Sequence, residues 1–287
     1  MNYIKTKDHI DVLDKNEFNI EHILECGQVF CFDKTPEKYI VFPSDKYAEI
    51  VETEKGYRIN TNDVDYFENW FALDEDYGSI KSKLSFYDIL KKPIEFGYGI
   101  RILRQDLFET LISFIISANN NIKRIKLILN NIREALGESS NFGKRSFPSF
   151  ERLKTCDVTF FKNVGAGYRA DYLVKVLNQI TPEKLEEYKS LPTNQLRAKL
   201  IELSGVGPKV ADCILLFGYN RFDVFPVDTW IHQMYNKYFT PLEDREIIAK
   251  KLVEMFGNMS GYAQQYLFYF QRSIKEWLFN VAKFLIF

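Results

Sequence analysis

The stretch between residues 203 and 230, LSGVGPKVADCILLFGYNRFDVFPVDTW, constrains the fold more than any other part of the chain. Gly205 and Gly207 lie between two apolar helical segments, so the chain can reverse sharply there with its backbone N–H groups unobstructed. Pro208 follows at the first position of the next helix, where the N–H that proline lacks has no partner to lose. The stretch therefore predicts a helix-hairpin-helix. Its exposed amides and helix dipole favour an anion such as a phosphate, although the same turn also occurs as an unliganded corner between helices.

Two charged residues stand at helix starts in this stretch. Lys209 lies in the first turn of the second hairpin helix, where the helix dipole disfavours a cation. Asp228 follows Pro226-Val227 at the start of another helix, a position where aspartate is also common as a plain N-cap. An amine and a carboxylate together suit displacement at the anomeric carbon of a sugar, because the carboxylate stabilises the positive charge that develops there. A lysine nucleophile forms a Schiff base that permits elimination of the 3′ phosphate, so lyase activity is expected beside base release.

The composition excludes several classes of protein. With 46% hydrophobic residues among 287, the chain has enough apolar surface for a folded core. No run approaches the roughly 20 apolar residues of a membrane helix, and the charged N-terminus lacks the apolar core of a signal peptide. We therefore expect a cytoplasmic protein, associated with the nucleoid if the source is prokaryotic. The four cysteines show no CxxC spacing, which predicts reduced thiols rather than a zinc or iron–sulfur site.

Charge is distributed unevenly along the chain. Residues 1–100 hold 12 Lys and Arg against 20 Asp and Glu, a net charge of −8. Residues 101–240 hold 20 against 14, a net charge of +6. This asymmetry places phosphate affinity in the middle of the chain and leaves an acidic N-terminal flank.

The hydrophobic patterning predicts an α+β fold, in which an N-terminal antiparallel β-rich subdomain (residues 1–100) packs on a mostly helical body (residues 101–287). Four short segments with turn residues between them, at 29–32, 39–42, 47–51 and 57–59, predict an antiparallel meander. From Asp106, which forms an N-cap pair with Glu109, the apolar spacing is helical. Further helices are predicted at about 122–136, 150–163, 169–180, 193–203, 208–218, 227–237, 243–256 and 260–278.

Several separate segments also resemble, in the same order, the 8-oxoguanine DNA glycosylase family of the helix-hairpin-helix DNA glycosylase superfamily. These segments are ECGQ (25–28), RQDLFETLISFIISANNNIKRI (104–125), GAGYRADY (165–172), LSGVGPKVADC (203–213), FPVD (225–228) and GYAQQYLF (261–268). The resemblance implies a bifunctional repair enzyme that flips 8-oxoguanine out of duplex DNA, preferentially opposite cytosine, releases it and cleaves the strand. The expected partner is double-stranded DNA containing the lesion. The protein is expected to act as a monomer, without a cofactor or a catalytic metal.

The resemblance also assigns roles on the lesion side of the site. Lys209 matches the nucleophile and Asp228 the residue that stabilises the transition state. Gly27 matches the residue whose carbonyl reads N7, which accepts a hydrogen bond in guanine but carries a hydrogen in the 8-oxo form. The remaining matches contact the flipped base, Gln264 at its Watson–Crick edge and the pair Cys213 and Phe268 at its two ring faces.

Another set of matches concerns the orphaned cytosine. Asn119 matches the side chain that fills the hole left in the base stack. Arg124, Tyr168 and Arg169 match the contacts and the wedge around the cytosine, which implies discrimination in favour of that partner base. Gly205 and Gly207 supply the phosphate clamp of the hairpin.

One departure from the family pattern lies two residues after Asp228, where the family commonly has histidine and this chain has Trp230, with His232 two residues further on. An imidazole contact to the lesion-side phosphate is therefore in doubt. Two alternatives to the bifunctional enzyme remain at this point. One is a monofunctional alkylpurine glycosylase, which usually lacks the nucleophilic lysine. The other is a non-catalytic DNA-binding protein in which Lys209 only contacts phosphate.

Overall fold

The computed structural model describes residues 1–139 and 143–284, with side chains described up to residue 274. Its single sheet has six antiparallel strands in the order β1-β2-β6-β5-β4-β3. The strands are β1 (Tyr3–Lys5), β2 (His9–Val12), β3 (Phe32–Lys34), β4 (Lys38–Val41), β5 (Ala48–Glu52) and β6 (Tyr57–Thr61). In β6, buried and exposed residues alternate, as expected of a strand with one face on the core and the other toward solvent.

Helices make up most of the remaining chain, and four of them precede residue 100. These are α1 (Ile20–Glu25), α2 (Val64–Trp70), α3 (Tyr77–Leu84) and α4 (Asp88–Phe96). The body that follows contains α5 (Leu107–Ser117), α6 (Ile122–Leu136), α7 (Phe150–Lys154), α8 (Val158–Asn163), α9 (Arg169–Gln179), α10 (Pro182–Glu187), α11 (Thr193–Ile201), α12 (Pro208–Phe217), α13 (Thr229–Tyr238), α14 (Arg245–Phe256) and α15 (Ser260–Phe284). Within the described residues, no helix combines the length and the apolar character that crossing a bilayer requires.

The predicted α+β class is confirmed, and the four meander strands form β3 to β6. The first of them begins at Phe32 rather than residue 29, and β1 and β2 were not predicted. The single helix predicted over 150–163 is wrong, because the Asp157 side chain accepts a hydrogen bond from Phe160 N at 2.8 Å and starts a second helix there. The short helix α10 was also not predicted.

Two hydrophobic clusters form the core. One lies between the sheet, α1 and α2, and includes the fully buried Trp70 and Phe71. The other fills the helical body around α5, whose residues from Leu107 to Ile116 are all buried. Buried residues of α3 and α4 belong to the second cluster, so the chain before residue 100 contributes to both. A domain boundary at residue 100 stays a prediction.

Arg101 joins the N-terminal segments beneath the sheet to the start of the helical body. Its side chain is fully buried, and its guanidinium donates hydrogen bonds to the carbonyls of Phe71, Ala72, Glu75 and Glu17. It also stacks over the Tyr77 ring at 4.3 Å from the centroid. A buried charge without carboxylate partners is tolerated here because several carbonyl dipoles replace its water.

We expect Arg101→Met to destabilise the protein by roughly 3 kcal/mol or more, because several buried carbonyls lose their donor at once. Urea unfolding followed by circular dichroism measures the effect. The matched control is Arg104→Met, since Arg104 pairs with the exposed Asp74 and should cost less than about 1 kcal/mol. Equal losses for the two variants would contradict the role assigned to Arg101.

Candidate active site

The hairpin turn before α12 contains two glycines with different reasons for being glycine. Gly205 has φ +82°, and a Cβ there would lie 2.8 Å from Tyr172 Cβ, so the turn itself excludes a side chain. Gly207 is exposed, has φ −86°, and would place a Cβ in open space. Folding therefore does not require glycine at 207. Its absent side chain instead leaves the N-terminus of α12 open to close approach by another molecule.

Lys209 lies half-buried in the first turn of α12, with Nζ 5.7 Å from the centroid of the Phe114 ring. Burial lowers the pKa of its ammonium, but the charges of Cys213 and Asp228 raise it by more, so the pKa lies above the usual lysine value. Burial raises the pKa of Cys213 to about 11, so this thiol is neutral at pH 7. Asp228 is therefore the negative neighbour that matters at neutral pH, and the resting amine is protonated.

Asp228 caps α13. Its Oδ1 accepts a hydrogen bond from Ile231 N at 2.9 Å, the expected N-cap contact. Burial raises the pKa of this carboxyl group, against the lowering effect of the Ile231 N–H and of Lys209. The cap orients the carboxylate, and the apolar surroundings keep its charge poorly solvated. The positive charge of Lys209, or of a sugar in a transition state, is therefore attracted strongly at this position.

A small, partly open cavity of about 50 Å³ joins these groups to the residues predicted to contact the base. Its lining residues are Gly27, Phe114, Lys209, Cys213, Phe217, Pro226, Asp228, Gln264, Gln265 and Phe268. All six predicted lesion-side residues are thus brought together, from α12, the N-cap of α13, α15 and the segment after α1. The space is large enough for water but not for a purine, so a base can enter only if the walls move apart.

Gln264 is the cavity residue with the clearest unmet hydrogen-bonding capacity. It is buried, and its Nε2 makes a long hydrogen bond of 3.4 Å to the carbonyl of Pro226. Its Oε1 has no hydrogen-bond partner among the described residues. A buried amide oxygen left without a donor is costly, so this group is available to a ligand that brings N–H groups.

Gly27 follows α1 with φ +88°. A Cβ at this position would lie 2.9 Å from Arg272 Nη1 and 3.0 Å from Phe268 Cε1, so only glycine fits. The next residue, Gln28, is fully buried and anchors the segment: it donates to the carbonyl of Arg101 at 2.7 Å and accepts from Leu103 N at 2.9 Å. The Gly27 backbone is therefore held against the cavity.

The residues predicted to surround the orphaned cytosine form a second cluster at the end of α5. Asn119 is exposed and has φ +48°, a left-handed conformation that asparagine tolerates better than most residues. Arg169 is buried, and its guanidinium donates to the carbonyls of Ala118 and, at 2.7 Å, Asn119. A direct contact from Arg169 to a base would therefore need at least one of these carbonyls to be released.

The two other members of this cluster remain accessible. Tyr168 is 53% exposed and donates from its hydroxyl to the Ala118 carbonyl at 3.2 Å. Arg124 is exposed and reaches the Gly165 carbonyl with a long contact of 3.4 Å. The four predicted residues thus meet around one exposed turn, with Arg124 and Tyr168 available for contact and Arg169 supporting the turn.

His232 does not replace the histidine missing at position 230. Its Nε2 lies 3.0 Å from the Leu242 carbonyl and 3.4 Å from Asn236 Nδ2, so the ring is engaged in joining α13 to the segment before α14. Trp230 is half-buried on the first turn of α13. Sequence reasoning also missed Phe114 and Gln265 as cavity residues. An apolar or a polar residue on a buried helix carries no local sequence signal of a functional site.

Two family descriptions match the chain in adjoining ranges. Residues 12–111 match "8-oxoguanine DNA glycosylase, N-terminal domain", and residues 112–257 match "HhH-GPD superfamily base excision DNA repair protein". Among solved structures, the 8-oxoguanine glycosylase/lyase of Clostridium acetobutylicum, in complex with double-stranded DNA containing cytosine opposite 8-oxoguanine, is 38% identical. It superposes with a TM-score of 0.90 over 96% of this chain and 99% of that one.

Two curated relatives are also similar. A probable N-glycosylase/DNA lyase of Methanothermobacter thermautotrophicus is 31% identical over 70% of this chain and 71% of its own. N-glycosylase/DNA lyase OGG1 of Arabidopsis thaliana is 35% identical over 63% of this chain, which spans 56% of the Arabidopsis protein.

The fold and the site together define a base excision DNA repair protein of the helix-hairpin-helix superfamily. Within that superfamily, the chain belongs to the family of 8-oxoguanine DNA glycosylases.

We expect Gly207→Ala to leave thermal stability unchanged or slightly higher, since the added methyl group meets open space and alanine restricts the unfolded chain. Duplex DNA affinity should fall about tenfold, because one charge-assisted hydrogen bond to a phosphate is worth roughly 1.5 kcal/mol. Fluorescence anisotropy with a labelled duplex measures the affinity. The control, Gly205→Ala, should instead lower the melting temperature. An unchanged affinity for Gly207→Ala would show that the N-terminus of α12 is not part of the DNA interface.

Asp228→Asn should separate stability from activity. Since burial raises the pKa of Asp228 in the folded state, ionising it destabilises the fold. This destabilisation develops as the pH rises from the unfolded value near 3.9 through the higher folded value. Asparagine keeps the N-cap without the charge. We expect a melting temperature at pH 7 at least as high as that of the wild type, with the difference shrinking toward pH 4. Base excision should fall roughly 10²–10³-fold. A markedly lower melting temperature at pH 7 would contradict this account.

Proposed function

We propose that this protein is a bifunctional DNA repair glycosylase, which excises 8-oxoguanine from duplex DNA and then cleaves the strand at the resulting abasic site. The observation that carries the proposal is the convergence of Lys209, Asp228, Gly27 and Gln264 on one small cavity. A lysine and a carboxylate at the ends of two helices supply the reaction. The glycine carbonyl and the glutamine amide supply recognition of a base.

The chemistry begins when the Lys209 ammonium loses a proton, and the resulting amine attacks C1′ of the flipped nucleotide. The new C–N bond forms as the bond from C1′ to N9 breaks, and the electron pair leaves with the base, which then takes up a proton. The Asp228 carboxylate stabilises the positive charge on the sugar during this step. Because Asp228 raises the pKa of Lys209, the ammonium must give up its proton to a group that DNA binding brings or to the leaving base.

Strand cleavage follows from the nitrogen nucleophile. The sugar ring opens to a Schiff base with Lys209, loss of a C2′ proton moves electrons toward the imine, and the 3′ phosphate leaves. Hydrolysis of the imine then returns the free lysine. A glycosylase that activates water instead has no imine and stops at the abasic site, so the presence of a lysine in the cavity favours the lyase.

Recognition of the lesion rests on hydrogen-bond polarity. N7 of 8-oxoguanine carries a hydrogen and N7 of guanine does not, so the Gly27 carbonyl attracts the first and repels the second. The Gln264 amide oxygen, which lacks a partner in the part of the chain that the structure describes, suits the N–H donors on the Watson–Crick edge of a purine such as guanine. Phe268 and Cys213 then cover the two faces of the ring.

Preference for cytosine opposite the lesion is proposed to come from the exposed turn at Asn119. The Asn119 side chain enters the space left by the flipped base, Tyr168 wedges beside it, and Arg124 donates to the acceptors of cytosine. Arg169 holds the turn by donating hydrogen bonds to the carbonyls of the turn. The guanidinium can add a contact to the base if one of these hydrogen bonds is released. The protein is proposed to act on DNA as a monomer.

The decisive test is borohydride trapping on a duplex with one 8-oxoguanine opposite cytosine. Wild-type protein should give a covalent protein–DNA adduct, because borohydride reduces the Schiff base, while Lys209→Gln should give none and still bind the duplex. A duplex with guanine in place of the lesion is the substrate control.

Other results would identify the alternatives. Base release without an adduct from wild-type protein would indicate a water-using glycosylase of the alkylpurine kind. If neither adduct nor release appears, and Lys209→Gln loses duplex affinity with a flatter salt dependence, the chain is a non-catalytic DNA-binding protein.

A further inference from the structure

Two buried side chains of α15 that the proposed chemistry does not use end on the same short segment. Arg272 donates from Nη2 to the carbonyl of Glu25, and Gln265 donates from Nε2 to the carbonyl of Cys26 at 3.0 Å. Arg272 is 8% exposed and Gln265 is 1% exposed. These two carbonyls immediately precede Gly27, so α15 holds the chain that leads to the carbonyl assigned to lesion reading in the proposed function.

Arg272 also contacts the other side of the base pocket. Its guanidinium carbon lies 5.4 Å from the centroid of the Phe268 ring, one turn earlier on α15. A Cβ on Gly27 would lie 2.9 Å from Arg272 Nη1 and 3.0 Å from Phe268 Cε1, so all three residues pack against one another. The planar guanidinium thus fills the corner between the Phe268 ring and the Gly27 backbone.

An arginine suits this corner for three physical reasons. It stays charged, and its planar group stacks on an aromatic ring while still donating in its own plane. The Glu25 carbonyl is at the C-terminal end of α1, where the helix dipole favours a cation. A lysine offers neither the plane nor the stacking, and an apolar residue leaves the carbonyl without this donor.

We propose that Arg272, assisted by Gln265, is a positioning residue that sets the preference of this protein for 8-oxoguanine over guanine. It acts by fixing the Gly27 carbonyl relative to the Phe268 ring. The inference rests on the proposed function, since it assumes that the Gly27 carbonyl reads N7. A hydrogen bond weakens steeply when its donor and acceptor are misaligned, so a discrimination that depends on one carbonyl needs that carbonyl held firmly.

The test uses Lys209→Gln as the parent, because this variant is expected to bind lesion DNA without turnover. Dissociation constants are measured for three duplexes, each with cytosine opposite 8-oxoguanine, guanine or a tetrahydrofuran abasic analogue. Adding Arg272→Met should weaken 8-oxoguanine binding about tenfold, the value of one well-placed hydrogen bond, and reduce the preference over guanine by the same factor. Binding of the abasic analogue, which presents no base to Gly27, should change less than about twofold. Arg272→Lys should recover only part of the preference.

Arg221→Met is the matched control. Arg221 also donates from its guanidinium to two backbone carbonyls, those of Lys189 at 2.8 Å and Leu191 at 3.2 Å. These carbonyls follow α10 and belong to residues that do not line the base cavity, whereas Arg272 holds the segment that leads to Gly27. The loss of Arg221 should leave the preference for 8-oxoguanine unchanged. Gln265→Met, which removes only the bond to Cys26, should lower the preference in the same direction as Arg272→Met and serves if the latter fails to fold.

Three results would overturn the inference. In the first, Arg272→Met, or Gln265→Met if it does not fold, keeps the full preference. In the second, all three duplexes are weakened equally, which indicates a structural defect alone. In the third, the parent itself does not prefer 8-oxoguanine over guanine, and the proposed function then fails together with the inference. The parent's behaviour therefore separates failure of the function from failure of the positioning role.

Discussion

The placement of the half-buried Lys209 ammonium and the half-buried Asp228 carboxylate on one cavity is the constraint on which the rest of the site depends. Their opposite charges attract each other, and partial burial makes this attraction stronger than it would be in water. The hairpin turn at Gly205 fixes the start of α12, and the N-cap at Asp228 fixes the start of α13, so two helix ends hold the charges in place. In the proposed reaction, positive charge develops on the sugar next to the Asp228 carboxylate. The same surroundings then stabilise the transition state.

The remaining walls of the cavity follow from this placement. They come from α5, α12 and α15, whose other faces lie in the helical core, and from the Gly27 segment, which Gln28 anchors to the chain at Arg101. A cavity of about 50 Å³ cannot hold a purine, yet most of its lining is fixed by core packing. Admission of a base therefore requires a local displacement of side chains in the wall rather than a change of fold.

Local features of the sequence predicted local structure well. The turn at Gly205, the caps at Asp106 and Asp228, and the meander all depend on residues close together in the chain, and all are present. β1 and β2 were missed because such short strands gain their stability from pairing. β1 pairs with β2, and β2 pairs with β6, which lies some 50 residues away in the chain. The meeting of Gly27 with Gln264 was expected only from the family resemblance, since no periodicity links residues so distant. Arg272 was missed for the same reason, because its proposed role depends on a contact with Glu25, which is distant in the chain.

The two clusters of predicted residues differ in a way that follows from their tasks. In the proposed function, lesion recognition uses buried groups, because a single N–H distinguishes 8-oxoguanine from guanine and a desolvated carbonyl gains or loses most from that difference. The turn at Asn119 is exposed and held in a left-handed conformation by Arg169 through backbone carbonyls. Such backbone strain persists only where surrounding contacts determine it, and it keeps Asn119 projecting toward solvent before DNA arrives. The pocket therefore supplies precision in reading the lesion, and the exposed turn supplies the side chains that can enter the duplex and open the path to the pocket.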